Sequence, residues 1–75
     1  MKNIIEINKE ILGGIPVFKG TRVPVKNLWD YLEGGESIEQ FLTGFPSVRR
    51  EQVIRLLKEA ERLTISKKQK YENIT

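Results

Sequence analysis

Hydrophobic positions along the chain change their period twice. The segment IIEIN, Ile4 to Asn8, is short, rich in isoleucine and followed by polar residues, which predicts a strand. In ILGGIPVFKGTRVPV two β-prone runs, Ile15 to Phe18 and Arg22 to Val25, flank KGT and predict a small hairpin. Gly20 supplies the positive φ that such a turn often needs. Pro16 and Pro24 cannot donate to a ladder, which places each at an edge or a strand end.

From Val25 the period becomes helical. Val25, Leu28, Trp29 and Leu32 fall at i, i+3, i+4 and i+7, and Gly34 and Gly35 follow as a C-terminal stop. Ser37 is an N-cap for a second helix carrying Ile38, Phe41 and Leu42. Gly44, Phe45 and Pro46 end that helix. A third helix is predicted from about Arg49 to Leu63, with Val53, Leu56, Leu57, Ala60 and Leu63 on its inner side. Trp29 and Phe41 are read as core, because they sit among leucines at helical spacing. The expected architecture is mostly α with a small N-terminal β part. It forms one domain over residues 1–63, with a β-hairpin arm at 1–24 and three helices at 25–63. The stretch 64–75 has little periodicity and is read as a flexible tail.

The second and third helices are separated by about four residues, the spacing of a helix-turn-helix unit whose second helix enters the major groove. Charge sharpens that reading. The chain has 75 residues and a net charge of +3, with a sequence pI of about 9.4. Residues 33–47 hold Glu33, Glu36 and Glu39 and no base, whereas residues 48–75 hold eight Lys or Arg against four Glu. Arg49 and Arg50 stand at the positive end of the third helix, where the macrodipole disfavours cations by ~0.3–1 kcal/mol. Phosphates supplied from outside would offset that placement. Arg55, Lys58 and Arg62 form a stripe opposite the apolar face. The candidate DNA-binding residues are therefore Arg49, Arg50, Gln52, Arg55, Lys58 and Arg62.

A plainer account competes with this one. Glu51 precedes Arg55 by four residues and Glu59 precedes Arg62 by three, so local ion pairs explain a solvated basic face as well. Gln52 could belong to a capping box, with Ser47 as the alternative cap, and Arg22 could pair with Asp30 or Glu33. In the tail, Lys67, Lys68 and Lys70 lie beside Tyr71 and Ile74. Positive charge with two apolar anchors makes these five the candidate partner-binding residues; a frayed terminus is the alternative.

Composition removes other classes. With neither cysteine nor histidine the chain offers no disulfide, no usual structural-zinc ligands and no nucleophile–base pair. It is read as not an enzyme, with no cofactor. A domain of this size buries only ~60% of its unfolded surface, so a homodimer is expected, through pairing of exposed strand edges. No apolar run reaches the ~18 residues of a membrane span, and glutamates stand in the opening MKNIIEINKE where a signal peptide would be apolar. A cytoplasmic location is expected.

The stretch GGIPVFKGTRVPVKNLWDYLEGGESIEQFLTGFPSVRREQVIRLLKEA, Gly13 to Ala60, resembles the prokaryotic domain-of-unknown-function 433 family. GTRVPV and YLEGGESIEQFL…FPSV carry the resemblance. It implies a homeodomain-like helix-turn-helix with an N-terminal β-hairpin. It also implies a VapB-like antitoxin of a type II toxin–antitoxin module, which binds its own operator DNA and neutralises a PIN-like ribonuclease toxin. A protein-interaction module without DNA binding is the alternative. One residue departs from the pattern: many relatives carry Ser or Thr where this chain has Arg49 before the last helix.

Overall fold

The computed structural model describes the backbone of residues 4–74 and the side chains of residues 4–65. Strand β1 (Ile5–Glu6) pairs antiparallel with β2 (Val17–Phe18), Ile5 opposite Phe18 and Glu6 opposite Val17. A 3₁₀ turn at Leu12–Gly14 lies between them. Three helices follow: α1 (Val25–Glu33), α2 (Ile38–Gly44) and α3 (Arg50–Ile74).

The turn at KGT forms as expected, but its second arm is not a strand. Phe18 N–H donates to Val23 C=O at 3.0 Å, Thr21 N–H to Phe18 C=O at 3.0 Å, and Gly20 takes φ +80°. Beyond that, Arg22–Val25 contributes one isolated bridge, Pro24 to Val17. Pro24 has no N–H with which to continue a ladder, and its φ of −61° leads into α1 as the N-cap. The ladder instead uses the residues before the 3₁₀ turn, and Lys19 N–H extends it to Ile4 C=O at 2.8 Å.

Helix ends follow local chemistry. At the end of α1, Gly35 at φ +85° donates to Leu32 C=O, and Glu36 N–H reaches Tyr31 C=O. At the start of α2, Ser37 Oγ accepts Gln40 N–H at 3.1 Å while Gln40 Oε1 accepts Ser37 N–H at 2.6 Å, a full capping box. Helix α3 runs past Leu63, where apolar periodicity stops, to Ile74.

The core gathers Ile4, Phe18, Val25, Leu28, Phe41, Val48, Val53 and Leu56, so arm, α1, α2, the turn after it and α3 share one apolar centre. Phe41 is fully buried. Tyr31 stands edge-on to Phe41 and to Phe45, with centroids 5.5 Å and 5.7 Å apart, a favoured arrangement for aromatic pairs. Trp29 is half-buried against the core rather than within it.

Candidate nucleic-acid interface

Helix α2, the turn Phe45–Arg49 and α3 form the helix–turn–helix segment. Its turn is anchored by Val48, which is buried and donates its N–H to Phe45 C=O at 3.0 Å. Arg49 ends the turn as the residue before α3, its C=O accepting from Gln52 and Val53 N–H. Burial of Val53 and Leu56 turns the opposite side of α3 to solvent, and Arg55, Lys58 and Arg62 are all exposed there. Arg49 is exposed at the leading end.

Gln52 does not join them. It is 4% exposed, its Oε1 accepts Arg49 N–H at 3.0 Å, and its Nε2 donates to Lys19 C=O at 3.0 Å. Both ends of the amide are engaged inside the fold, which removes Gln52 from the set of base-contacting residues. Its position three residues into the helix is the capping-box position, and it caps without a Ser or Thr partner. Ser47 makes no capping bond among the described residues.

Ion pairs divide the remaining cations. Arg50 pairs with Glu39, the first-turn acid of α2, tying the start of α2 to that of α3. Arg62 pairs with Glu59. In each case the guanidinium hydrogen bond holds the glutamate carboxyl below its usual range. Both pairs lie at the surface, where water screens them and they separate readily. The expected Glu51–Arg55 pair is absent among the described residues, and so is any ion pair of Arg49 or Lys58. Among the described residues Arg22 pairs with neither Asp30 nor Glu33, and Asp30 accepts from Lys26, one helical turn before it, at 2.8 Å.

The Gln52–Lys19 bond adds residues that the sequence reading left out. It pins the hairpin turn, with the exposed Lys19, beside the first turn of α3, and the exposed Arg22 follows in the same turn. Glu6 also reaches that turn, accepting Gly20 N–H at 3.4 Å. A glutamine at the third helical position with no Ser or Thr cap was the available signal that it bonds elsewhere. The side chains of the candidate partner-binding residues Lys67, Lys68, Lys70, Tyr71 and Ile74 lie outside the described residues.

Residues 5–60 match the family described as "Protein of unknown function (DUF433)". The chain belongs to this family. The match takes in the arm, α1, α2 and α3 as far as Ala60, so the DUF433 unit contains every cation of the candidate surface just described except Arg62. A relative, the uncharacterized protein y4eO of Sinorhizobium fredii (strain NBRC 101917 / NGR234), is 38% identical over 52 residues. The match covers 69% of this chain and 24% of the relative, so the chain spans about a quarter of that protein's length. No solved structure matches the DUF433 chain. None of its helices, among the described residues, is long and apolar enough to cross a membrane, and none of its carboxylates are grouped to hold a metal ion.

Proposed function

We propose that this DUF433 chain is a cytoplasmic antitoxin of a type II toxin–antitoxin module, VapB-like, whose homeodomain-like helix-turn-helix binds operator DNA. The observation that carries the DNA reading is a set of exposed cations, Arg49 at the end of the turn and Arg55 and Lys58 on the solvent face of α3, with no carboxylate partner among the described residues. Arg50 and Arg62 join them when phosphates replace Glu39 and Glu59, an exchange that weak surface pairs allow. Lys19 and Arg22 extend the cationic surface toward the phosphate backbone. The antitoxin part of the reading, with a PIN-like ribonuclease toxin as partner, rests on the sequence resemblance, and it calls for no catalysis by this chain.

The test is binding to DNA from upstream of the gene as salt is varied. Each phosphate contact adds about −0.9 to the log–log slope, so Arg55→Ala with Lys58→Ala should weaken binding and flatten the slope by about 1.8. Melting temperature should stay within the narrow range of surface substitutions. Unchanged affinity and slope would overturn the DNA reading. The second reading, a protein-interaction module, is favoured by an apolar groove on another side of the molecule.

A further inference from the structure

Among the described residues two polar side chains are buried, Thr21 and Gln52, and both serve the hairpin turn. Thr21 Oγ1 donates to Phe18 C=O at 2.7 Å and accepts Val23 N–H at 3.0 Å, which closes the turn on itself. Gln52 Nε2 donates to Lys19 C=O at 3.0 Å, and Lys19 N–H is taken by Ile4 C=O at 2.8 Å. Both main-chain groups of Lys19 are therefore fixed, while its side chain is exposed. Surface connections are ordinarily the mobile part of a fold, and burying polar groups costs free energy unless each is paired. This turn is held more firmly than a link between a strand and a helix requires.

We propose that Gln52 is a positioning residue for the nucleic-acid surface: by tying the hairpin turn to the start of α3, it makes Lys19 a contact to a backbone phosphate of duplex DNA. The inference rests on the DNA reading above and adds a second contact element to it. The other end of the same amide, Oε1, accepts Arg49 N–H at 3.0 Å. One planar group thus bridges the main chains of two exposed cationic residues that lie on different elements. Neither Lys19 nor Arg49 has an ion-pair partner among the described residues. Glu6, which reaches the turn, accepts Gly20 N–H at 3.4 Å and forms no ion pair with Lys19.

Duplex DNA offers its phosphates as a rigid row of charges, and contacts to that row set the register of the protein on the duplex. Cations whose main chains are already fixed relative to each other meet such a row without the cost of ordering a loop on binding. A side chain that never touches DNA would in this way decide how many phosphates the surface engages.

The test measures how binding of the full chain to duplex DNA from upstream of the gene depends on salt. Lys19→Ala should flatten the log–log slope by about 0.9, the share of one phosphate contact. Gln52→Glu still accepts from Arg49 but cannot donate to Lys19. In that background Lys19→Ala should leave the slope nearly unchanged, whereas Lys58→Ala should flatten it by about 0.9 in both backgrounds. General loss of structure would weaken both lysines together, so a loss confined to Lys19 separates positioning from a merely structural role. Gln52→Met, which removes both bonds at similar side-chain length, gives the same comparison without an added charge, and far-UV spectra at the assay temperature check the fold. A Lys19→Ala effect of equal size with and without Gln52 would overturn the proposal. So would a Lys19→Ala variant with unchanged slope where Lys58→Ala flattens it, an outcome that leaves the DNA reading standing. If neither lysine matters, the DNA reading falls and this inference with it.

Discussion

Gln52 sits where a base-reading side chain would be expected, three residues into a basic helix, and the fold uses it otherwise. Its amide closes the open N–H of Arg49 and the C=O of Lys19 at once. Gln52→Ala leaves two polar groups poorly paired, each at a cost of ~1–3 kcal/mol, and the expected total is roughly 2–3 kcal/mol. For a domain this small the melting temperature should fall by ~10–20 °C. Gln52→Glu separates the two roles, since a carboxylate still accepts from Arg49 but cannot donate to Lys19, and should give an intermediate loss. Thermal melts of the two variants check this, and equal losses would mean that the Arg49 bond contributes nothing.

At the scale of elements, helical phase was legible wherever apolar residues recur at i, i+3 and i+4. Leu28 and Phe41 are buried as that spacing requires, and Ser37 caps α2. Strand pairing was less legible. The run Arg22–Val25 has the composition of a strand, but Pro24 breaks the ladder and Val25 begins α1, a choice set by backbone chemistry that hydropathy does not report. The extent of α3 was hidden because its residues after Leu63 lack an apolar face, so nothing in their pattern marks a continuing helix. Of the candidate site, the stripe on α3 could be read from the helical wheel. The Arg50–Glu39 pair could not, because it joins residues on different helices. That pair makes a pH signature. The Glu39 carboxyl lies below its ordinary 4.5 because Arg50 hydrogen-bonds its charged form, so the pair's contribution is complete above about 4.5 and is lost as pH falls through the lower, folded value. Carboxyl NMR titration should show the Glu39 midpoint rising toward its ordinary value in Arg50→Ala and, more weakly, at high salt. A midpoint indifferent to Arg50 would remove the pair from solution.

Across the whole molecule, α3 has two sides: an exposed cationic one with Arg55 and Lys58, and a buried apolar one with Val53 and Leu56. A single long helix thus carries charge to solvent on one side and packs on the other, and the arm is held against it by Gln52. That bond spans 33 residues of sequence and is the tie between the hairpin turn and the start of α3. Opening either end exposes the other, so the two regions should exchange their amide protons as one cooperative unit. In native-state hydrogen exchange, Lys19 N–H and Arg49 N–H should share one opening free energy, while Gln40 N–H, held only by the box at the start of α2, exchanges on its own schedule. Gln52→Ala should split the shared value in two, turning one foldon into an arm and a helix that breathe independently.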